Sequence, residues 1–450
     1  MRAYSSRNQT LLRLALLWCA MIAAAGSAWA VEVKDSDQYV PVLIYRTGPF
    51  APGGSGMGGG YQDYMALLNE RDGGIDGVRL VFEECETAYN TDRGVECYER
   101  LKANGKFGAP VFHPFSTGIT YALIERATKD KIPLISLGYG RTDATDGEVF
   151  PYVFPLITNY WSQNTAKISY IAQMEGGFDK LKGKKIVNLH LNVPYGQETI
   201  PILDEMAKKY GFEVTHMPVP PPGIDQKALW LQIKKIEPDW VINRNWGVSC
   251  TVPLREAARI GFPREKILGV WWCGSEEDVL PAGAAAKGYK TTNFHGVGRD
   301  FPLIQEILEE VYGKGKGNIE ASRVGTVFYN RGVIVGIVTM EAIRTAHTKF
   351  GNRPIGGQEM QWALENLNIT SARIKELGAE GLMSPLKTSW QDHEGGGRVR
   401  IQQWDGNRWV SASDWIEPDA KLVHEKIMAS AMDYAGKKGL TPRTKAEDGR

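Results

Sequence analysis

The residues with chemistry to offer stand in short runs that follow apolar, strand-like segments. His113-Pro114-Phe115-Ser116-Thr117-Gly118 follows one such segment, and Gly138-Tyr139-Gly140-Arg141 follows the next. Later in the chain, Asn192-Val193-Pro194-Tyr195-Gly196, Arg244-Asn245-Trp246-Gly247 and Trp271-Trp272-Cys273 hold the same position. Small residues there let backbone N–H groups approach a ligand, and a following helix N-terminus favours an anionic group. Tyr and Trp add apolar walls with a polar edge. This is an inventory for binding, and it contains no nucleophile–base pair.

Enzyme chemistry finds little support elsewhere. Gly54-Ser55-Gly56-Met57-Gly58-Gly59 formally fits G-x-G-x-x-G. A dinucleotide site needs its first glycine at the strand end, whereas Arg46 through Gly53 intervene here, so an exported oxidoreductase is the remotest reading. No phosphate-binding G-x-x-x-x-G-K-[ST] and no G-x-S-x-G elbow occur. The seven histidines are scattered, with no H-E-x-x-H and no Cys/His cluster, so neither a metal nor another cofactor is expected. Glu83-Glu84 and Glu276-Glu277 read as solvated ends of elements.

Each binding candidate also has a plainer role. Ser116-Thr117 serves equally well as a helix N-cap or as a ligand contact. Tyr195 is a packed loop aromatic or a cleft wall, the latter favoured because its loop faces the expected cleft. Adjacent residues at a strand end point oppositely, so of Trp271 and Trp272 one is core and the other wall. Arg46 and Arg244 are surface ion-pair partners or bidentate clamps on a carboxylate.

The elements that must position these runs alternate. Strands are expected at 42–45, 78–82, 109–112 and 133–137, with helices at 61–71, 92–104 and 119–129 between them. A glycine-rich loop, 53–60, precedes the first helix. This βαβαβαβ order implies a parallel sheet covered on both faces. After 153–157 the pattern restarts, with strands at 185–191, 212–216, 240–243 and 267–270 and helices at 162–175, 197–210, 226–236 and 251–260. The third section carries helices at 303–312, 324–347 and 359–367. Gly395-Gly396-Gly397 between 386–390 and 399–404 reads as a β-hairpin, with Asp405-Gly406 as a second turn. The polar tail, 439–450, is expected to be disordered.

Composition and targeting bound the rest. Arg2, Arg7 and Arg13 precede an apolar core, 14–25, and Ala28-Trp29-Ala30 supplies a small-x-small cleavage site, so residues 1–30 read as a signal peptide. That core is shorter than the ~20 residues of a spanning helix. About 420 residues remain, enough for two or three domains. A net charge of +1 argues against a nucleic-acid binder. Four cysteines remain in an oxidising compartment, Cys85, Cys97, Cys250 and Cys273. They admit three pairings, of which Cys85–Cys97 and Cys250–Cys273 are the local ones, and free buried thiols are the other reading.

In the order and spacing of several segments the chain resembles the type I periplasmic binding proteins, specifically the branched-chain amino-acid type that feeds ABC importers. The segments are Tyr45-Arg46-Thr47-Gly48-Pro49, Asn69-Glu70-Arg71-Asp72-Gly73-Gly74, Asp130-Lys131-Ile132-Pro133, Pro194-Tyr195-Gly196-Gln197, Ile236-Glu237-Pro238-Asp239 and Ala257-Ala258-Arg259-Ile260-Gly261. The resemblance covers residues 39 to 415 or so. It implies an α/β fold of two Rossmann-like lobes with parallel sheets, joined by a three-crossing hinge near 154–159, 291–296 and 382–385. Lobe 1 would be 39–156 plus 296–381, and lobe 2 160–290 plus 385–416. It further implies a periplasmic monomer that hands a small ligand to an ABC permease in the inner membrane. A ligand-sensing subunit for a membrane receptor is the alternative.

By the same resemblance, Ser116, Thr117, Gly138, Tyr139 and Gly140 would hold the ligand from lobe 1, and Tyr195 and Trp246 from lobe 2. Amino-acid binders of this type place an acid after the strand that ends here at Val270. This chain has Trp271-Trp272-Cys273 there, Glu276 comes later, and Tyr139 replaces a small residue. An ammonium closed into the cleft without its counter-ion would be costly. The expected ligand is therefore either amino-acid-like or a bulkier, aromatic carboxylate, the latter held by Arg46 or Arg244.

Overall fold

The apolar run after Asp37 forms strand β1 (Gln38–Ile44), which pairs in parallel with β2 (Leu80–Glu86), Val42 lying opposite Glu84. The computed structural model describes residues 32–444, so the expected signal peptide and residues 445–450 of the tail lie outside the described residues. Strands β3 (Leu134–Ile135) and β4 (Val153–Phe154) form a second parallel pair. The strand expected at 109–112 is reduced to one bridge between Phe112 and Leu134. Pro110, which has no N–H for a ladder, keeps it short.

The second half builds one seven-stranded sheet. Its strands are β5 (Lys185–Leu191), β6 (Glu213–Val219), β7 (Trp240–Arg244), β8 (Ile267–Gly269) and β9 (Lys290–Asn293). These five are parallel, with Val187 of β5 opposite Thr215 of β6 and Val241 of β7. Of the later strands, β10 (Asn368–Ile369), β11 (Leu386–Lys387), β12 (Arg400–Trp404) and β13 (Trp409–Ser411), only β12 and β13 join this sheet, both antiparallel. The turn at Asp405-Gly406 links β12 to β13 as its composition predicts. The expected hairpin across Gly395–Gly397 does not form. There β11 pairs with β10, and the glycine run lies against Ile157, whose carbonyl accepts the N–H of Gly397.

Six longer helices frame the sheets and their strand ends: α1 (Ala51–Asp72), α2 (Thr117–Asp130), α3 (Tyr160–Glu175), α4 (Val248–Ile260), α5 (Val327–Phe350) and α6 (Ala420–Lys438). The glycine-rich segment is not a loop. Helix α1 begins at Ala51 and carries its glycines inside the helix, where each costs about 1 kcal/mol against Ala. Close packing offsets that cost. A Cβ on Gly60 would run into the Tyr329 carbonyl of α5, and one on Gly332 of α5 into the Met57 carbonyl of α1. A Cβ on Gly58 would strike Ile44 of β1. The formal dinucleotide motif is thus occupied by packing against protein.

The chain passes between the first strands and the large sheet at 155–159, at 294–301 and at 388–399. Within the third passage, His393 stacks on Phe154 at 3.9 Å and bonds the Val153 carbonyl. Its backbone then runs beside the first passage, where Ile157 N–H donates to Glu394 O and Asn159 N–H to the Glu394 carboxylate. Helix α6, which no sequence pattern announced, follows the last strand. Tail residues up to 444 are ordered against the expectation, because Arg443 bonds the Gly147 carbonyl and pairs with Glu365.

Candidate ligand-binding cleft

The carboxyl ends of β1, β3, β5, β7 and β8 converge, the position at which open α/β sheets bind ligands. They enclose a narrow slot whose free volume is only about 10 Å³, the room of a single water. From the first half come Tyr45, Tyr89, Phe115, Ser116, Thr117 and Tyr139. The facing side holds Tyr160, Tyr195, Trp246 and Trp272. Eight of these ten are aromatic, and no acidic residue lines the slot. A wider groove, beside Trp362, Trp390 and Arg443, collects none of the strand-end residues.

Local chemistry fixes each wall. Ser116 accepts the Ile119 N–H as N-cap of α2, and the same residue lines the slot. Tyr139 is locked at both ends of its hydroxyl, which receives the Phe115 N–H at 2.8 Å and donates to the Ile135 carbonyl at 3.0 Å. Tyr195 donates to the Asn245 carbonyl at 2.8 Å. Trp246 is 3% exposed and packs edge-on to Trp272 and Phe328, with Phe50 stacked at 6.4 Å. A disulfide between Cys250 on α4 and Cys273 ties the Trp271–Cys273 turn to the helix that follows Trp246. The other disulfide, Cys85–Cys97, joins β2 to the helix Thr91–Leu101.

The two adjacent tryptophans divide their work. Trp272 lines the slot, while Trp271 lies behind it, stacked on Tyr160 at 5.8 Å. Both indole N–H groups donate to one acceptor, the Gly138 carbonyl, at 2.7 and 3.0 Å. Gly138 and Gly140 are backbone rather than wall, and a Cβ on Gly140 would collide with Glu198. Arg46 stands apart from the slot, where it forks onto Glu84 at 2.6 Å and reaches Asn318.

The polar groups of the slot are uncharged. The hydroxyls of Tyr45 and Tyr160 and the indole N–H of Trp246 are buried without a partner among the described residues. Burial holds the hydroxyls of Tyr45, Tyr139, Tyr160 and Tyr195 well above the usual tyrosine range, so they stay neutral, and those of Tyr139 and Tyr195 already donate to backbone carbonyls. Arg244 is fully buried with its guanidinium 4.0 Å from the Tyr160 ring centre and 4.8 Å from that of Tyr195. Arg331 of α5, which sequence patterning did not single out, lies 4.4 Å over Trp272 and donates to the carbonyl of Trp271. The acids that follow β8 are all engaged elsewhere. Glu276 accepts the first N–H of α5, at Val327, Glu277 pairs with Arg323, and Asp278 closes a capping box with Ser275.

Three wall residues escaped the strand-end reading. Tyr89 follows β2 in Thr87-Ala88-Tyr89, the same kind of position as Tyr139, and the rule applied to β2 would have found it. Tyr45 opens Tyr45-Arg46-Thr47-Gly48-Pro49, but composition does not announce where its side chain goes. Tyr160 opens α3 directly after the first passage between sheets, a place the pattern assigned to hinge.

An α/β molecule whose strand ends converge in this way has the architecture of the type I periplasmic binding proteins. The sequence model of the family described as "Periplasmic binding protein" matches residues 37–408, and the chain belongs to that family, one of non-enzymatic substrate-binding proteins that work outside the cytoplasm. A solved structure described as an ABC transporter permease from the Pseudomonas fluorescens group is 48% identical, covers 92% of this chain and 100% of its own, and has a TM-score of 0.85. A branched-chain amino-acid ABC transporter from Thermus thermophilus with bound valine is 23% identical over 87% of this chain and 99% of its own, TM-score 0.72. A solute-binding protein of an ABC transporter from R. palustris in complex with benzoate is 18% identical over 85% and 97%, TM-score 0.66. No curated protein matches the sequence significantly.

Proposed function

We propose that this chain is an exported solute-binding protein that captures a small ligand with a flat, apolar body and no ammonium group, and delivers it to an ABC permease. The observation that carries this reading is the slot itself: aromatic on both sides, rich in unpaired donors and free of acids. An α-amino acid would bring an ammonium into that enclosure with no carboxylate to meet it, at a cost of several kcal/mol. An aromatic body would stack on the Tyr and Trp walls. The benzoate-bound R. palustris protein shows that this fold accepts such a ligand, and the valine-bound Thermus protein that it also accepts amino acids.

The first strands with α1, α2 and α5 form one lobe, and the seven-stranded sheet forms the other. Ligand shifts an open–closed equilibrium about the three passages, and the permease recognises the closed form. The protein acts as a periplasmic monomer after removal of residues 1–30. Titration calorimetry with leucine, isoleucine, valine and a series of aromatic acids and amides tests the reading. Aromatic ligands should bind and the branched-chain amino acids should bind weakly or not at all. Submicromolar leucine binding would overturn it.

A further inference from the structure

The acidic turn after β8 fastens the rim of the slot to the opposite lobe. Glu276 and Glu277 follow the Trp271–Cys273 turn and belong to the lobe of the large sheet. Their partners belong to the lobe of α1 and α5. Oε2 of Glu276 accepts the Val327 N–H at 3.0 Å, at the N-terminus of α5. Oε1 of Glu277 receives Arg323 through Nη2 at 2.8 Å and Nε at 3.2 Å, and the same Nη2 bonds the Pro52 carbonyl at the start of α1. Next along α5, Phe328 stacks on Trp272 at 6.2 Å and Arg331 donates to the Trp271 carbonyl at 3.0 Å. Opening the cleft must draw the acidic turn away from Arg323 and α5.

Charge at this contact does not balance. Two carboxylates meet one guanidinium, and Oε2 of Glu277 is buried with no partner among the described residues. Asp278, the third acid of the turn, stays within its own lobe, where Ser275 donates to it through both its N–H and its hydroxyl. Burial holds the Asp278 carboxyl well above the usual carboxylate range. Arg331 lies over the Trp272 ring and acts on Asp278, and Arg299 is engaged by the carbonyls of Ala321, Ser322 and Val324. Neighbouring carboxylates that share one counter-ion disfavour double ionisation. Burial, reinforced by Glu277, raises the Glu276 carboxyl to about 7, although the Val327 N–H favours its ionised form. With the lobes apart the same carboxyl is solvated and returns toward its ordinary 4.5.

We propose that the Glu276-Glu277 turn is a proton-coupled latch: as the cleft closes, Glu276 takes up a proton, so that ligand and proton are captured together and acid favours the closed form. This rests on the open–closed motion of the proposed solute-binding function and not on which ligand the slot takes. Oε1 of Glu276 carries the proton, and Oε2 goes on accepting from Val327, so protonation leaves the grip on α5 intact. The sign follows from linkage. The closed form holds the proton more tightly than the open one, so the closed-to-open ratio is highest below 4.5, falls as pH rises to about 7, and is level above it.

Small-angle scattering on the mature, unliganded protein tests this without a choice of ligand. From about pH 5.5 to about pH 8 the closed-to-open ratio should fall by about 30-fold, read as a rise in the radius of gyration. Glu276→Gln, a neutral isostere that keeps an oxygen for Val327, should hold the acid-end radius across the whole range. Glu276→Ala removes that acceptor and should give the larger radius even at the acid end. A wild-type radius that does not move with pH would overturn the coupling. So would the same movement in Glu276→Gln, since another group would then carry it. Glu276→Ala with the wild-type radius throughout would overturn the latch itself. None of these outcomes touches the aromatic reading of the slot, which stands or falls on the leucine and aromatic-acid titrations.

Discussion

Trp246 is the side chain on which the slot most depends. It meets Tyr45 and Phe50 from one lobe and Trp272 from its own, and a Cβ on Gly53 of α1 would strike its ring. Trp246→Ala and Tyr195→Ala should each weaken ligand binding by about 1 kcal/mol or more, the scale of an anchoring aromatic. Calorimetry on folded variants measures it, and unchanged affinity in both would remove these residues from the site. Glu276 makes a different prediction. Burial raises its carboxyl to about 7 even though Val327 N–H stabilises the ionised form. A raised carboxyl binds its proton more tightly in the folded state than in the unfolded one. Its contribution is therefore full below the unfolded value near 4.5 and lost as pH rises through 7. Glu276→Gln should flatten the decline of stability between those values, by on the order of 1 kcal/mol. Chemical denaturation at a series of pH values reads the slope directly.

The pair α1 and α5 shows glycine used for contact between helices. Gly60 and Gly332 each lie where a methyl group would meet the other helix's backbone. Gly60→Ala or Gly332→Ala should destabilise by about 1–3 kcal/mol through overpacking, despite the better helix propensity of Ala. Gly436 in α6 has open space around its Cβ position. There the same substitution should stabilise by about 1 kcal/mol at most. Thermal melts of the three variants separate packing from propensity, and equal shifts at Gly60 and Gly436 would refute the close-packing account. The positioning of Trp272 has its own device. The Cys250–Cys273 bridge holds the turn after β8 against the start of α4, so two loops that both reach the slot move as one.

Across the molecule, the two lobes are held shut at a second place away from the slot. The Glu198 carboxylate accepts the Thr142 N–H at 2.6 Å, the Thr142 hydroxyl at 2.5 Å and the Tyr121 hydroxyl at 2.9 Å, all from the opposite lobe. Helix α6 lies along the same turn. Its Ser430 bonds Asp143 at 2.7 Å and its Tyr434 lies under Arg141 at 4.4 Å. The other face of α6 reaches Glu205 through Lys426 and packs Val423 and Ile427 on Trp161 and Ile202. Opening the cleft must break contacts on one side of this helix. Glu198→Ala should therefore shift the unliganded protein toward the open form and speed ligand release, by about 1–3 kcal/mol for the lost bonds. Small-angle scattering should report a larger radius of gyration, and stopped-flow tryptophan fluorescence a faster dissociation. An unchanged radius and rate would mean the closed form is held by the slot alone.

Alternation of strand and helix, the apolar β5, β7 and β8 runs and the polar aromatics placed after them were all legible in the chain, because local periodicity and strand-end position are written residue by residue. Ser116, Thr117, Tyr139, Tyr195, Trp246 and Trp272 come together at one slot for that reason. Other features depended on which segments meet. The glycines of α1 read as a loop by composition, and they are helical because α5 and β1 fill the space beside them. Strand β12 reads as the partner of β11, yet its ladder runs to β9, because the passage beside Ile157 carries the chain back to the larger sheet before it can fold on itself. Arg46 and Arg244 are alike as sequence, each an arginine at a strand end. Glu84 and Asn318 draw the first to the surface, while Tyr160 and Tyr195 stack on the second and close it inside. Whether a charge is paired or stranded depends on neighbours distant in sequence, and only the tertiary structure brings those neighbours into place.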